Sequence, residues 1–215
     1  MKYTLAIFDL DGTILNTLED LHSSVNYVLL KSNFPTRSID ERRSFLGNGA
    51  YNLLKKSVPD NCHEQQLKEI FDQYIEYYGS HSNIKTAPYN GITKLIKKLR
   101  ENHVKIAVIS NKQNSDVKKL CEIHFDGLID YVTGERENTP KKPDPTSVIE
   151  TINKFKVNPN EVVFIGDSEV DILTSKNAGI DSIAVTWGFR NEIDLKSSSP
   201  TYFAHSSDDI FNIMS

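Results

Sequence analysis

The sequence is poor in cysteine, with two among 215 residues, and neither belongs to a Cys-x-x-Cys pair or a Cys–His cluster. Cys62 and Cys121 stand far apart, which argues against a disulfide framework and against a zinc site of ordinary spacing. The six histidines also lack the spacing of zinc ligands. We therefore interpret both cysteines as structural thiols and the histidines as surface or packing residues.

An uninterrupted apolar run of membrane length is absent, and so is an N-terminal apolar segment of signal-peptide type. A basic excess is absent too, because the net charge is −4 and Lys and Arg are mixed among Asp and Glu. The sequence offers neither a basic stripe for nucleic acid nor a polybasic anchor for lipid. We expect a cytoplasmic protein, a monomer or weak dimer, that binds small molecules rather than nucleic acid or membranes.

The apolar residues that are present, 38% of the chain, follow the pattern of an α/β protein. Short β-rich runs predict strands at residues 3–8, 105–109, 131–133, 162–165 and 182–185. Helical spacing between the later strands predicts helices at residues 91–101, 115–123, 145–155 and 170–177. A short final strand and helix follow the loop at 196–200. This alternation predicts a parallel sheet with helices on both faces, a Rossmann-like core of three α/β/α layers.

The segment between the first two predicted strands shows only helical periodicity, at residues 18–31, 39–56 and 64–78. A capping-box type start at Thr17-Leu18-Glu19-Asp20 and a polar turn at 79–83 mark its borders. We therefore expect an all-helical insert at residues 16–82. The α/β core then consists of residues 1–15 and 83–215.

The first strand runs directly into Asp9-Leu10-Asp11-Gly12-Thr13. A buried strand that ends on two carboxylates indicates a use for them, because charges are costly to bury. Ligands of open α/β sheets bind at the carboxyl ends of strands, where Asp9 lies. The alternative is a solvated Asp-Gly turn. A calcium loop of the EF-hand type is excluded, since it requires glycine where Ile14 stands.

Polar residues also follow other strands and so are expected at the same edge. They are Ser110, Asn111 and Lys112 after the second strand, Asp167 and Asp171 after the fourth, and the pair Lys141-Lys142 before Pro143. Each has a plainer interpretation on its own: a polar turn for Ser110, a helix cap for Asp167 and Asp171, and solvated charges for the lysines.

Several carboxylates at one edge repel one another unless a cation neutralises them, and a hard divalent ion with oxygen ligands does so. Mg²⁺ fits best, and a substrate phosphate would complete its incomplete protein shell. Ser110, Asn111 and the backbone N–H groups around Gly12 can donate to phosphoryl oxygens, with Lys142 as a compact positive charge. Asp9 can then act as an aspartyl nucleophile, while Asp11 transfers the proton.

Together these motifs resemble the haloacid dehalogenase superfamily of phosphotransferases. The motifs are Asp9-Leu10-Asp11-Gly12-Thr13, Ser110-Asn111, Lys142 before Pro143, and Gly166-Asp167-Ser168-x-x-Asp171. The resemblance implies a nucleophile at Asp9, a general acid and base at Asp11, and phosphoryl binding by Ser110 and Lys142. Gly12, Thr13 and Asn111 join the expected substrate-binding set. The implied Mg²⁺ ligands are Asp9, the backbone carbonyl of Asp11, and Asp167. Asp171 would lie behind these ligands or bind the metal through a water.

The helical insert resembles the mobile cap of that superfamily, and residues 41–50 are similar to the corresponding stretch of phosphoglycolate phosphatases. Arg43 and Asn48 are therefore candidate substrate-binding residues, although Arg42 and Arg43 also suit an exposed helix face. We expect a Mg²⁺-dependent phosphatase of a small phosphomonoester, 2-phosphoglycolate, acting through an aspartyl phosphate. The alternative enzymes are a pyrophosphatase, a sugar-phosphate phosphatase or a phosphomutase of the superfamily. The alternatives that are not enzymes are a phospho-aspartate switch and an inactive relative.

Overall fold

The predicted parallel sheet is present. The computed structural model describes residues 1–43 and 45–215, without the side chain of Arg42. Its strands are β1 (Leu5–Phe8), β2 (Leu15–Asn16), β3 (Ala87–Pro88), β4 (Lys105–Gln113), β5 (Tyr131–Glu135), β6 (Val162–Gly166), β7 (Asp181–Val185) and β8 (Tyr202–Ala204). In the described residues, six of them form one sheet in the order β5-β4-β1-β6-β7-β8. All its pairings are parallel, whereas β2 and β3 form a separate antiparallel pair.

The helices lie within a few residues of the predicted ones, except that the helix Glu192–Ser197 is not predicted and the run at 39–56 is divided. They are α1 (Leu18–Lys31), α2 (Ile39–Arg43), α3 (Ala50–Ser57), α4 (Glu64–His81), α5 (Ile92–Glu101), α6 (Asn114–Phe125), α7 (Thr146–Phe155), α8 (Glu169–Ala178), α9 (Glu192–Ser197) and α10 (Ser207–Met214). Among the described residues, no helix has the length and apolar character needed to cross a membrane.

Side chains of the central strand alternate between the two faces of the sheet, as strand geometry requires. Ala6 and Phe8 belong to an apolar cluster with residues of α5, α6 and α10. Leu5 and Ile7 belong to a second cluster with residues of α7 on the opposite face. Helices therefore cover both faces, and the predicted three-layer α/β/α class is confirmed.

Strand β4 is longer than the predicted strand, which ended at residue 109. Pairing with β5 resumes at Gln113 after an irregularity, so Ser110, Asn111 and Lys112 lie within the strand. All three are buried. The hydrophobic pattern could not reveal this extension, because these polar side chains face a polar site rather than an apolar core.

The helical insert, defined here as α1 to α4, has an apolar cluster of its own, to which Phe189 of the α/β core contributes. The periodic run predicted as one helix at 39–56 is two helices. Gly47 and Gly49 between them have φ values of 105° and 82°, which lie in the left-handed region. A right-handed helix cannot continue through such residues.

The capping box predicted at Thr17 is wrong. The Thr17 hydroxyl donates to Asp11 Oδ1 at 2.6 Å and makes no cap hydrogen bond to α1. The buried Asp20 carboxylate instead accepts from the backbone N–H groups of the returning segment, those of Ile84 (3.0 Å), Lys85 (3.0 Å) and Thr86 (2.8 Å). The Thr17 hydroxyl thus uses an acceptor outside α1, and the Asp20 carboxylate uses donors 64 to 66 residues further along the chain, neither of which a local capping rule considers.

We expect Asp20→Ala to lower the free energy of unfolding by about 3 kcal/mol, because the N–H groups of residues 84–86, of which that of Thr86 is buried, lose their acceptor. Urea unfolding followed by circular dichroism measures this change. Glu19→Ala is the matched control, because Glu19 is an exposed neighbour on the same helix and its loss should cost less than about 0.5 kcal/mol. Equal effects of the two substitutions would contradict this role of Asp20.

Candidate active site

The carboxyl ends of three neighbouring strands, β4, β1 and β6, place polar side chains around one cleft. The cleft lies between this edge and the helical insert. Asp9, Ser110, Asn111, Lys142 and Asp167 line it from the α/β core. Leucines and tyrosines of α1, α3 and α4 line it from the insert. The structure thus combines a charged floor with a largely apolar roof.

Asp9 is the first residue after β1, and its backbone N–H donates to the Ile165 carbonyl at 2.9 Å. Its side chain is buried. Burial, together with the charges of Asp171 and Asp11, raises the pKa of Asp9 to about 7, although Lys142 opposes the shift. Asp9 Oδ1 lies 2.8 Å from Lys142 Nζ but accepts no aligned hydrogen bond from the described residues. This buried oxygen therefore retains an unused lone pair.

Lys142 is the central cation of the floor. Its ammonium lies 2.6 Å from Asp171 Oδ1 and 2.8 Å from Asp9 Oδ1. Burial disfavours the charged form, but these two carboxylates prevail and raise the Lys142 pKa above its usual value. Asn111 fixes the Lys142 backbone by accepting from its N–H (2.8 Å) and donating to its carbonyl (3.0 Å). The neighbouring Lys141 pairs instead with Glu135.

Three buried acids, Asp9, Asp167 and Asp171, bring one carboxylate oxygen each to within 4.8 Å of one another. Burial and the charges of the other two raise the pKa of Asp167 well above its ordinary value. Asp167 accepts from the Thr13 hydroxyl at 3.0 Å and from the Phe189 N–H at 2.7 Å. A side chain at Gly12 would collide with the Asp167 carboxylate, which accounts for glycine at this position.

Asp171 also has the capping role that the sequence left open. Its Oδ2 accepts from the Ser168 N–H and hydroxyl, and the pair forms a capping box at the start of α8. Its other oxygen accepts from Lys142 at 2.6 Å. Asp171 is thus largely occupied by protein donors, whereas Asp9 retains a free oxygen. The oxygen-only donor set of this acidic cluster suits a hard divalent cation.

The Asp11 carboxylate lies outside the acidic cluster and faces a different set of donors. Its Oδ1 accepts from Lys112 Nζ at 2.7 Å and from the Thr17 hydroxyl at 2.6 Å. Asp9 and Asp11, two residues apart on the sheet edge, therefore have different surroundings. The Asp9 carboxylate lies beside Lys142 and the other acids of the cluster, and the Asp11 carboxylate lies beside the insert.

A family model for haloacid dehalogenase-like hydrolases matches residues 6–185 of this chain. The chain belongs to this family. The resemblance drawn from its four motifs is therefore confirmed, and hydrolysis is its reaction class. The matched region contains all the strand-end acids described above together with the helical insert.

Similar sequences include the phosphoglycolate phosphatases of Psychrobacter arcticus and Haemophilus influenzae. Each is 29% identical over 209 residues, with 94% of this chain and 91% and 93% of the two relatives covered. A crystal structure from Lactobacillus delbrueckii subsp. bulgaricus matches with a TM-score of 0.94 at 33% identity, covering 100% of this chain and 99% of that chain. A predicted phosphoglycolate phosphatase from Haemophilus somnus 129pt gives 0.93 at 28% identity, with the same coverage.

The two candidate residues of the insert are not among the described residues that line the cleft, although Gly47 and Gly49 on either side of Asn48 are. The Arg43 side chain is exposed, and its carbonyl accepts from Arg190 at 2.8 Å. The Asn48 carbonyl accepts from the Asn52 side chain. The Arg42 side chain lies outside the described part of the chain. Substrate contacts from Arg43 and Asn48 stay predictions.

Arg190, which is not among the predicted site residues, and Asn111, which is predicted to bind substrate, both contact the insert. Arg190 pairs with Glu169 at 2.8 Å and donates to the carbonyls of Arg43 and Leu46, both at 2.8 Å. Asn111 donates to the Gly47 carbonyl at 3.1 Å. Backbone carbonyls accept in every case, and carbonyls carry no side-chain signature. Lys112 is expected at this edge, since it follows Ser110-Asn111 directly, but it is given no role in the predicted site.

The raised pKa of Asp9 predicts a pH dependence for the metal-free protein. Folded Asp9 binds a proton between its ordinary pKa of 3.8 and about 7, whereas the unfolded chain has released it. The free energy of unfolding therefore falls as pH rises through this window. Asp9→Asn removes the titration, so its stability relative to the wild type should increase from about pH 5 to about pH 8.

Urea unfolding in EDTA across this pH range measures the difference. The other titrating groups are common to both proteins. Loss of the Asp9 charge also lessens the rise in the Asp167 pKa, which changes the stability difference in the same direction. A stability difference that stays constant with pH would contradict the raised pKa.

Proposed function

We propose that the protein is a Mg²⁺-dependent phosphatase that hydrolyses a small phosphomonoester through a phosphorylated Asp9, with 2-phosphoglycolate as the substrate. The observation that carries the proposal is the Asp9 carboxylate, which is buried between Lys142 and the other acids with one oxygen free of hydrogen bonds. The names of the two relatives, at 29% identity over most of both chains, support the substrate.

Asp9, the Asp11 carbonyl and Asp167 would hold Mg²⁺, with Asp171 behind them. The raised pKa values of Asp9 and Asp167 support this assignment, because burial and neighbouring carboxylates disfavour their charged forms and a divalent cation would offset both effects. When bound, the metal would supply positive charge to the phosphoryl oxygens and keep Asp9 ionised.

In the proposed first step, an oxygen of Asp9 attacks phosphorus and the bond from phosphorus to the ester oxygen breaks. Asp11 donates a proton to that oxygen as it leaves. In the second step, Asp11 takes a proton from water, and the water oxygen displaces Asp9 from phosphorus, which releases phosphate. The separate surroundings of Asp9 and Asp11 support this division of roles.

The remaining residues of the floor bind and position the phosphoryl group in this scheme. Lys142 supplies positive charge beside Asp9, and Ser110 supplies a hydroxyl at the cleft. Asn111 holds the Lys142 backbone. The predicted phosphoryl contacts from the Gly12 and Thr13 N–H groups are wrong, because these groups donate to the Leu15 and Leu10 carbonyls. We also propose that residues 16–82 act as a cap that excludes water while the aspartyl phosphate exists.

We expect Asp9→Asn to reduce phosphate release by at least about 10⁴-fold, because an amide is a poor nucleophile for phosphorus. The measurement is phosphate release in Mg²⁺, with circular dichroism to verify that the fold is retained. Asp208→Asn, a conservative change in α10 at the far end of the chain, should be without effect. Wild-type turnover by Asp9→Asn would disprove the covalent mechanism.

We expect a preference for 2-phosphoglycolate over pyrophosphate, sugar phosphates and nucleotides, and loss of activity in EDTA that added Mg²⁺ restores. Phosphate release across this panel, with product analysis for phosphoryl transfer to a second sugar hydroxyl, is the measurement. Preference for a different substrate would reject 2-phosphoglycolate as the substrate but would not contradict the covalent phosphatase mechanism. Phosphoryl transfer would indicate a mutase, and a stable phosphoprotein without turnover would indicate a switch.

A further inference from the structure

Lys112 is a second buried cation of the cleft, and the scheme above gives it no role. Its ammonium lies 2.7 Å from Asp11 Oδ1 and 4.6 Å from the centre of the Tyr78 ring. The side chain is 7% exposed, so the charge is shielded from water. An ammonium has three N–H donors, and the described hydrogen bonds of this group use one, to Asp11. The group therefore retains donors for a ligand.

Among the described cleft-lining residues, the cations are Lys112, Lys142 and Arg190. Lys142 is held between two acids at the phosphoryl end. Arg190 is occupied by Glu169 and by two carbonyls of the insert. Lys112 is thus the cation with free capacity on the side of the leaving group.

Lys112 lies where the leaving group of the substrate would be placed, an inference that rests on the proposed function. If Asp11 protonates the leaving oxygen, the substituent on that oxygen lies beside the groups that contact Asp11. These are Thr17, at the start of the insert, and Lys112. A group one carbon away from the leaving oxygen would therefore lie within reach of the Lys112 ammonium.

The surrounding wall supports a polar ligand at this place. Tyr78 is 2% exposed and lines the cleft, and its hydroxyl has no hydrogen-bond partner among the described residues. An unpaired buried hydroxyl is costly and indicates a missing partner. Asp116 lines the same end, so an anionic ligand there would be repelled by both Asp116 and Asp11 without Lys112.

We propose that Lys112, assisted by the Tyr78 hydroxyl, binds a carboxylate attached one carbon from the ester oxygen, and thereby selects phosphorylated 2-hydroxy acids over neutral phosphomonoesters. The ammonium contacts Asp11 and the substrate carboxylate together. Recognition of the carboxylate is then coupled to the position of the group that donates the proton. The competing role is a purely internal one, in which Lys112 only neutralises Asp11.

The two roles differ in how a substitution affects matched substrates. The first pair is 2-phosphoglycolate and 2-hydroxyethyl phosphate, and the second is 2-phosphoglycerate and glycerol 2-phosphate. Within each pair the carboxylate is replaced by a hydroxymethyl group. We expect Lys112→Met to reduce kcat/KM on the order of 100-fold for the carboxylate member and about tenfold or less for the neutral member. Lys112→Arg should restore part of the preference, and Lys118→Met, an exposed lysine of α6, should not change it.

Binding provides a readout without turnover. In the Asp9→Asn background, calorimetry with Mg²⁺ should show at least about tenfold tighter binding of the carboxylate member, and adding Lys112→Met should abolish this difference. Equal losses for both members, or no preference in the Asp9→Asn protein, would overturn the proposal. The result would differ if only the proposed substrate were wrong. In that case 2-phosphoglycolate would not be hydrolysed, but the preference for the carboxylate member would persist in the second pair.

Discussion

The ion triad of Asp9, Lys142 and Asp171 is the interaction on which the site depends. Three charges that would each be costly to bury alone become tolerable because the ammonium lies within 2.8 Å of both carboxylates. The triad is nevertheless incompletely neutralised, since Asp167 lies beside it and burial keeps the pKa of Asp9 near 7. The residual negative charge suits a divalent cation, as the proposed function requires.

The rest of the architecture supplies and protects this triad. Parallel pairing of β1 with β4 and β6 brings the residues after each strand to one edge. Asn111 fixes the backbone of Lys142, and the Ser168–Asp171 capping box fixes the third member while it starts α8. The helical insert then covers the edge and is tied to the core by Arg190 and Asn111. Stability and reactivity thus share the same contacts, because the acids that would bind the metal also organise the elements around them.

Asp9 and Asp11 show how two like residues acquire different surroundings within three positions. Asp9 lies against Lys142 and the other two acids of the cluster. Asp11 lies against Lys112 and the hydroxyl of Thr17 at the start of the insert. The contact of Asp11 with both the core and the start of the insert links the proposed proton donor to the segment that covers the cleft. This link offers a physical reason for the cap and the chemistry to be coupled.

The sequence by itself determined the fold class and the family, because hydrophobic periodicity and the residues that follow each strand are local signals. It predicted the parallel core, the helical insert and the placement of Asp9, Asp11, Ser110, Lys142 and Asp167 at one edge. Only the tertiary structure decided that Thr17 contacts Asp11 instead of capping α1, that β4 continues through Lys112, and that Arg190 joins the core to the insert. The extension of β4 depends on a strand distant in the chain, and the Arg190 contact depends on a backbone carbonyl that every residue carries. The Thr17–Asp11 contact spans only six residues, but it requires the chain after β1 to fold back in a turn, which no periodic pattern predicts.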